Sequence, residues 1–329
     1  MSEPTGLTGK RVLITGAGCL GSVIVHRFTE AGASVCVFDR STERLAALDD
    51  GVMTIEGDIT DRTAVEQAVD GCDILVHTAA LLGGSMEDQQ RVNVTGTGVV
   101  MGSAAAAGVS RAVHISSIAV YGIGCKGDIT EAMGPNPSRQ AYSMTKAGGE
   151  EAVRASGVPH AIIRPAGIFG PGAEYFTGSY FQRARRKPII FVGRGKGALA
   201  VVFVEDVADL AVVVAQHPAA EGEAFNCAID PPPTHREYMH AYGELVGNHS
   251  WVGIPMPLVL GASWLAVPFA KKYSYARQLP QNLAFVNRYV RYSTDKARDL
   301  LEWKPAVGVH EGISRAVPWL AEQGLLEQV

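Results

Sequence analysis

The stretch Lys10-Arg11-Val12-Leu13-Ile14-Thr15-Gly16-Ala17-Gly18-Cys19-Leu20-Gly21-Ser22 decides the fold of this chain. Its first six residues form a short apolar run that predicts a buried strand, and Val23 to Ala31 predicts a helix. The glycines between them follow the pattern Gly-x-Gly-x-x-Gly. We expect the first to allow a tight turn, the second to let the backbone approach a diphosphate and the third to let the helix pack closely. In this context the pattern predicts a dinucleotide site at the helix N-terminus.

The second predicted strand, Ser34 to Phe38, ends at Asp39, which lies about 20 residues beyond the glycines. A carboxylate at this point can accept hydrogen bonds from the adenosine ribose and repel a 2′-phosphate, so it favours NAD. Arg40 beside it could pair with such a phosphate, or it could be a solvated residue or stack on adenine. NAD is therefore the expected cofactor, with NADP left open.

Strand and helix signals keep alternating after this point. Strands are predicted at Val52 to Glu56 and Asp73 to His77, with a helix from Asp61 to Val69 between them. Such alternation with apolar strands is typical of a parallel sheet that is covered by helices on both faces. The predicted fold class is α/β, with a Rossmann-type doubly wound parallel sheet.

The ends of these strands supply further candidate residues. Asp58 could reach the edge of an adenine, or it could only cap the helix that follows. Small residues follow His77, as a backbone lying against a cofactor requires, and His77 itself is expected to be a satisfied core histidine. The cofactor-binding residues predicted in this half of the chain are Gly16, Gly18, Cys19, Leu20, Gly21, Asp39, Arg40, Asp58, Ile59, Ala79 and Ala80.

The composition of the 329-residue chain, with 47% hydrophobic and 19% charged residues, indicates a globular protein. The formal net charge is −4 and the charges are spread along the chain, so no nucleic-acid partner is predicted. Five cysteines lie far apart and form no ligand cluster, which predicts free thiols and no metal site. Residues 1–10 lack the apolar core of a signal peptide, and a cytoplasmic protein is expected.

A tyrosine and a lysine, Tyr142 and Lys146, lie four residues apart in a segment of good helix formers. At this spacing both side chains leave one helix face. An ammonium beside a phenol should lower a phenol pKa that is otherwise near 10, which suits acid/base chemistry on alcohols and ketones. Such pairs also arise by chance on solvated helices. Asn93, within a helix predicted over Met86 to Ala107, would need hydrogen-bond partners if it is buried.

With Ser117 after the fifth strand (Arg111 to Ile115), then Tyr142 and Lys146, and the glycine loop before them, the sequence resembles the extended short-chain dehydrogenase/reductase family. The resemblance is to its branch of NAD-dependent epimerases/dehydratases and 3β-hydroxysteroid dehydrogenases. It covers nearly the whole chain, because three further segments match the family: Ile163 to Gly172, Val202 to Ala208 and Tyr292 to Pro305. The glycine turn is one residue shorter than the Gly-x-x-Gly-x-x-Gly of extended members.

This resemblance implies roles for individual residues. Ser117 would hydrogen-bond the substrate oxygen, Tyr142 would be the acid/base, and Lys146 would be its partner and bind the nicotinamide ribose. Asn93 would hold a water in the proton relay. The resemblance adds Tyr142, Lys146, Pro165 and Ile168 to the cofactor-binding set, and it implies a homodimer through the helices predicted over Met86 to Ala107 and Ser138 to Ala155.

The pattern becomes irregular from Gly170 to Ala198 and from Asp230 to about Tyr289, and the resemblance implies that these pieces belong to a second unit. Residues 1–169 and 199–229 would form the dinucleotide-binding domain, and residues 170–198 and 230–329 a smaller substrate domain interleaved with it. No acidic or basic residue occurs between Glu244 and Lys271. Prolines and a glycine interrupt this apolar stretch, so a membrane span is not expected. A lid over an apolar substrate, a contact with a membrane surface and plain core packing all stay open.

The predicted function is an NAD(P)-dependent oxidoreductase that interconverts a secondary alcohol and a ketone on a fairly apolar small molecule, similar to hydroxysteroid dehydrogenases and dihydroflavonol reductases. A nucleotide-sugar epimerase or dehydratase is the alternative, in which Arg183, Arg185, Arg186 and Lys187 could meet a diphosphate or be only a solvated helix face. A non-catalytic dinucleotide-sensing regulator is a third reading, against which the combination of Ser117, Tyr142 and Lys146 argues.

Overall fold

The computed structural model describes residues 6–269, 280, 283 and 286–326. Its strands are β1 (Arg11–Thr15), β2 (Ser34–Asp39), β3 (Met53–Glu56), β4 (Ile74–His77), β5 (Arg111–Ile115), β6 (Gly127–Ile129), β7 (His160–Pro165), β8 (Gly167–Phe169), β9 (Ile189–Val192), β10 (Val201–Phe203), β11 (Ala224–Cys227), β12 (Trp251–Ile254) and β13 (Val290–Tyr292).

The α-helices are α1 (Cys19–Glu30), α2 (Thr42–Ala46), α3 (Arg62–Val69), α4 (Met86–Gln89), α5 (Thr97–Ala106), α6 (Ala141–Ala155), α7 (Tyr180–Ala184), α8 (Val204–Gln216), α9 (His235–Glu244), α10 (Met256–Ala266), α11 (Asp295–Leu301) and α12 (Val309–Glu322). Two π-helical segments (Gln90–Gly96 and Glu174–Ser179) and four 3₁₀ segments (Ile118–Tyr121, Glu131–Met133, Pro218–Ala220 and Val267–Phe269) complete the described helices.

A seven-stranded parallel sheet forms the centre of the molecule, in the order β11-β7-β5-β4-β1-β2-β3. The chain first builds outward from β1 to β3 and then returns to the other side of β1. The strand order therefore reverses between β1 and β4, which is where open α/β sheets bind their ligands. This topology confirms the predicted α/β, doubly wound class.

Each central strand is buried on both faces, which explains why these strands read as continuous apolar runs. Val12 and Ile14 point into one core with α1 and α8, while Leu13 between them points into a second core with α3, α5 and α6. A third, aromatic core includes Phe169, Phe203 and Tyr238 and lies between the later strands and α7, α9 and α12.

The structure departs from the sequence-based expectations where long-range contacts decide the backbone. The helix after the glycines begins at Cys19, within the loop itself, and not at Val23. The helix expected over Met86 to Ala107 is interrupted by the π-helical segment around Asn93, where the Thr97 hydroxyl bonds the Asn93 carbonyl. The loop after residue 124 contains β6, which pairs with the distant β13.

The uncharged stretch after Glu244 forms β12, which pairs with β9, and then α10. Core packing does not account for α10, because Leu258, Trp264 and Leu265 are 67%, 60% and 77% exposed. None of the helices in the described ranges has both the length and the apolar character needed to cross a bilayer.

Two buried histidines lie side by side in the centre of the sheet. His77 of β4 and His114 of β5 are cross-strand neighbours, and their rings stack at 5.4 Å between centroids. His77 bonds the hydroxyls of Thr15 (2.6 Å) and Thr97 (3.0 Å), as expected for a satisfied core histidine. Neither ring nitrogen of His114 has a partner in the described part of the chain. Burial, followed by the charge of Lys146, lowers the pKa of His77 to about 3 and the pKa of His114 well below its usual value.

The histidine pair predicts an acid-sensitive fold. Below pH 6.5 the unfolded chain binds protons that the buried rings cannot accept, so each ring lowers stability as the pH falls. The slope is about 1.4 kcal/mol per pH unit for each ring. Replacing His114 by Phe removes one such ring and two unpaired nitrogens. We therefore expect His114→Phe to gain stability relative to the wild type as the pH falls. Below pH 6.5 the difference between their free energies of unfolding should grow by about 1.4 kcal/mol per pH unit.

Denaturant titrations from pH 8 down to pH 5 measure this difference. The matched control is His249→Phe, because His249 is exposed. The explanation is wrong if the difference between His114→Phe and the wild type is the same at pH 5 and pH 8.

Candidate active site

The glycine loop lies against the exit of β4 and leaves one side open. Gly16 has a φ of +96°, and a Cβ on it would come within 2.7 Å of the Thr78 hydroxyl and 2.9 Å of the Ala79 nitrogen. A Cβ on Gly21 would come within 1.9 Å of the Gly16 carbonyl oxygen. Nothing lies within 4 Å of a Cβ on Gly18. The outer glycines are thus needed for packing, and the middle one faces space in which a ligand can approach the backbone.

The first turn of α1 offers donors to an anion. Gly18 is the N-cap and supplies no side-chain cap, and the first turn contains no acidic residue. Its N–H groups and the positive end of the helix dipole therefore suit a diphosphate. Cys19 is half-buried and its thiol donates to the Pro171 carbonyl at 3.3 Å. Burial raises the pKa of Cys19 to about 11, so this thiol stays neutral beside the loop. Leu20 packs partly buried against the core.

Asp39 joins the glycine loop to the end of β2. Its Oδ2 accepts from the Ala17 backbone N–H at 2.7 Å and its Oδ1 accepts from the Ser41 N–H at 2.8 Å. Each oxygen keeps a further lone pair, so the fixed carboxylate can still accept from a ribose hydroxyl. Arg40 is exposed beside it. The residues present fit a dinucleotide at this edge of the sheet.

Asp58 follows β3 and does not cap the next helix. Its Oδ1 accepts from the backbone and hydroxyl of Thr60 at 2.9 and 2.8 Å, whereas Asp61 caps α3. Burial would raise the pKa of Asp58, but the Thr60 bonds and the charges of Arg91 and Arg40 together lower it. The capping interpretation of Asp58 is therefore wrong, and its second oxygen lies 4.0 Å from Arg91. The neighbouring Ile59 is buried, Ala79 is half-buried against Gly16 and Ala80 is exposed.

The structure brings Ser117, Tyr142 and Lys146 together beside the end of β5. The Ser117 hydroxyl lies close enough to the Tyr142 phenol to lower its pKa, and the Ser117 Oγ accepts from the Ala119 N–H at 3.1 Å. The Lys146 ammonium donates to the Ile115 carbonyl at 2.7 Å. The two hydroxyls that the resemblance assigns to the substrate oxygen are thus neighbours.

The electrostatics of this group differ from the sequence-based expectation. Burial raises the pKa of Tyr142, and the Ser117 hydrogen bond only partly opposes this effect. The expectation that Lys146 lowers the phenol pKa is wrong for this arrangement, because its ammonium is directed at the Ile115 carbonyl. Burial also lowers the pKa of Lys146 to about 8, against the opposing charge of Glu150. Tyr142 is therefore held as a proton donor at neutral pH.

A buried ion pair that the sequence analysis did not identify supports this face of α6. Glu150 is fully buried one turn after Lys146, and Arg164 of β7 forms a two-pronged contact with it at 2.8 Å for each bond. The Ser116 hydroxyl and Arg154 bond the same carboxylate at 2.6 and 3.0 Å. Burial would raise the pKa of Glu150, but these contacts lower it. A charged residue inside the apolar strand Ile162-Ile163-Arg164 was the available signal.

Asn93 is buried in the π-helical segment and joins two parts of the site. Its side-chain oxygen accepts from the Leu81 N–H at 2.7 Å. Its amide nitrogen donates to the Leu81 carbonyl at 2.9 Å and to the Thr145 hydroxyl at 3.0 Å. The partners that a buried asparagine needs are thus present, and they connect the chain after β4 to the helix that carries Tyr142 and Lys146.

The remaining predicted residues form two groups. Pro165 and Ile168 are predicted to bind the cofactor, and the basic residues 183–187 lie on α7 and directly after it. Pro165 is buried at the end of β7, and Ile168 is half-buried in β8. Arg183 lies over the Tyr180 ring, and Arg185 donates to the Leu325 carbonyl at 2.8 Å. Arg186 and Lys187 are exposed after α7.

Comparison with known proteins adds to this geometry. The sequence model of the NAD dependent epimerase/dehydratase family matches residues 12–228. The sterol demethylase protein B of Methylococcus capsulatus is 30% identical over 95% of this chain and 99% of its own length. The 3 beta-hydroxysteroid dehydrogenase/Delta 5-->4-isomerase of Mycobacterium tuberculosis H37Rv is 28% identical over 97% of this chain and 92% of its own length.

A solved structure of similar fold is an enzyme of Bordetella bronchiseptica in complex with NAD, with a TM-score of 0.76 and 22% identity over 96% of both chains. Three findings point to a dinucleotide site. The glycine loop leaves space at Gly18, the N-terminus of α1 has no side-chain cap, and the family model matches most of the sheet. The chain therefore belongs to the NAD-dependent epimerase/dehydratase family, as an NAD-dependent oxidoreductase.

Proposed function

We propose that this protein interconverts a secondary alcohol and a ketone on a fairly apolar, polycyclic small molecule, with NAD as its redox cofactor. The observation that carries the proposal is that the Ser117 hydroxyl and the Tyr142 phenol lie next to each other at the end of β5, on the same side as Lys146. Relatives that match nearly the whole chain and are named for sterols or hydroxysteroids support the substrate class.

The cofactor, when bound, supplies or accepts the hydride. The glycine loop, α1 and Asp39 would hold its adenosine half, together with the residues Arg40, Asp58, Ile59, Ala79 and Ala80. The residues Tyr142, Lys146, Pro165 and Ile168 would hold its nicotinamide half.

The proton chemistry follows from the chain's own residues. Tyr142, kept protonated by burial, would donate its proton to the oxygen of a ketone while Ser117 donates a second hydrogen bond to that oxygen. In the opposite direction the phenolate would accept the alcohol proton. Lys146, with a pKa of about 8, keeps most of its positive charge at neutral pH and would bind the nicotinamide ribose. Asn93 would position a water that returns the proton to Tyr142 through this lysine.

Assembly and location are part of the same proposal. We expect a cytoplasmic homodimer in which the helical segments Met86–Ala106 and α6 of two copies pair. Support comes only from the resemblance, in which these helices form the subunit contact. The division into a dinucleotide domain and a smaller substrate domain is likewise proposed from the resemblance.

Tyr142→Phe tests the acid/base assignment. Removing only the hydroxyl should lower kcat by about 10²–10⁴-fold and leave the Kd of NADH nearly unchanged, because the ring and its packing remain. Steady-state kinetics and fluorescence titration of NADH measure the two quantities. Tyr289→Phe is the control, because Tyr289 is 58% exposed. Retention of more than about a tenth of wild-type kcat would rule out Tyr142 as the proton donor.

Asp39→Asn tests the choice of cofactor. The wild type should bind NADH more tightly than NADPH, because a 2′-phosphate would meet the Asp39 carboxylate. The asparagine keeps one oxygen to accept from a backbone N–H but removes the charge, so the preference should fall by about tenfold or more. Asp50→Asn, at an exposed aspartate, is the control. Tighter binding of NADPH by the wild type would mean that Arg40 dominates.

A substrate panel tests the chemical class. Hydroxysteroids and other polycyclic secondary alcohols should reduce NAD with a KM that changes little with salt, because apolar contacts are not screened. UDP-sugars and dTDP-sugars should neither turn over nor compete. Tight competitive inhibition by UDP that is lost when Arg183, Arg185 and Arg186 are replaced would favour a nucleotide-sugar epimerase or dehydratase instead.

A further inference from the structure

The exposed apolar surface of this protein is concentrated on one continuous segment. β12 carries exposed Trp251, Val252 and Ile254, and the neighbouring β9 carries Ile190, which is 59% exposed and pairs in register with Val252. The segment continues into α10 and the 3₁₀ turn after it, where exposure rises further. The most exposed side chains there are Leu258, Trp264, Leu265 and Phe269, the last at 91%. Val252, Ile254 and Ile190 point to one side of this strand pair, and Trp251 points to the other side with the buried Ile189 and Phe191. We call Ile190, Val252, Ile254 and the exposed side chains of residues 256–269 the apolar face.

Soluble proteins rarely leave so many large apolar side chains together in water, so this face needs an occupant. α10 packs Ser263 against the protein and leaves Leu258, Trp264 and Leu265 exposed on its outer side. Its eleven residues are too few to cross a bilayer. A helix of this kind can lie in the plane of a membrane surface with its side chains in the acyl boundary. A tryptophan such as Trp264 favours the same depth, since its ring is apolar and carries one polar N–H.

Cations precede and follow β9, the strand that pairs with β12. No acidic residue occurs between Glu174 and Glu205, whereas six basic residues occur there and all are exposed: Arg183, Arg185, Arg186, Lys187, Arg194 and Lys196. The structure shows no ion pair between any of these six and another residue of the described ranges. Their charge is therefore available to a partner.

The pairing of β9 with β12 places Lys187 and Arg194 at opposite ends of this strand pair. The Ile189 N–H bonds the Ser250 carbonyl at 2.9 Å, so Lys187, two residues earlier, lies near the start of β12. The Gly193 N–H bonds the Ile254 carbonyl at 2.8 Å, so Arg194 lies near the start of α10.

We infer that the apolar face docks on an anionic lipid bilayer, with α10 lying in the membrane surface and the cations of residues 183–196 contacting lipid phosphates. Apolar burial supplies one part of the affinity and attraction between these cations and an acidic headgroup layer supplies the other. A protein partner or a second copy of the chain would bury the apolar side chains equally well. The six cations of residues 183–196, which have no acidic residue among them, favour a surface of dense negative charge.

Vesicle flotation of the full chain tests the inference. The protein should float with vesicles of phosphatidylcholine and phosphatidylglycerol, float much less with phosphatidylcholine alone, and dissociate from the mixed vesicles as salt rises. Trp264→Ser combined with Leu265→Ser should weaken binding by about tenfold or more through lost insertion. Arg194→Gln combined with Lys196→Gln should weaken it by a similar factor, and only on the anionic vesicles.

Matched controls separate this surface from general effects. Leu300→Ser removes an exposed leucine from α11, and Lys10→Gln with Arg62→Gln removes two exposed cations elsewhere. These variants should float as the wild type does, and thermal unfolding shows that every variant is folded. The inference is overturned if the wild type does not float with anionic vesicles or if the Trp264 and Leu265 variant floats as well as the wild type. It is also overturned if the wild type stays in solution as a dimer that this variant converts to monomers, since the face would then be a subunit contact.

Discussion

The ion pair between Glu150 and Arg164 is the interaction on which the rest of the site depends. Both side chains are almost fully buried, and both carboxylate oxygens and two guanidinium nitrogens are used. Breaking such a pair by removing one partner leaves an uncompensated buried charge and costs about 3–5 kcal/mol. Because Glu150 belongs to α6 and Arg164 to β7, the pair holds the helix that carries Tyr142 against the sheet in one register.

The contacts of Glu150 and Arg164 reach two further parts of the structure. Toward the site, the Glu150 carboxylate opposes the loss of charge that burial imposes on Lys146, one turn earlier on α6. Away from the site, Arg164 donates to the Tyr121 hydroxyl at 2.7 Å, and that hydroxyl donates to Asn226 at 2.7 Å. The Asn226 amide donates in turn to the carbonyls of Ile129 and Ser293. The helix that carries Tyr142 and Lys146 is thus connected through buried polar groups to the β6–β13 pair and the C-terminal part of the chain.

A few buried polar side chains among the described residues have no hydrogen-bond partner, and His114 is the one nearest the candidate site. His114 lies between the sheet and α6, close to the charge of Lys146, and its ring nitrogens have no partner among the described residues. It must therefore stay neutral, which spares the site a second buried cation. The two histidines stay neutral and Glu150 is held by its network. Among these side chains it is Lys146 whose pKa, about 8, lies near physiological pH.

The sequence by itself determined the parts of the protein that rest on local periodicity and on residue chemistry. Apolar strands alternating with helices predicted the parallel sheet, the glycines at positions 16, 18 and 21 predicted the dinucleotide loop, and the spacing of Tyr142 and Lys146 predicted one helix face. Tertiary structure alone decided the pairing of Glu150 with Arg164, the π-helical segment at Asn93, the raised pKa of Tyr142 and the exposure of α10. These features depend on which distant residues meet and on how much water they exclude, and neither quantity is contained in a local pattern.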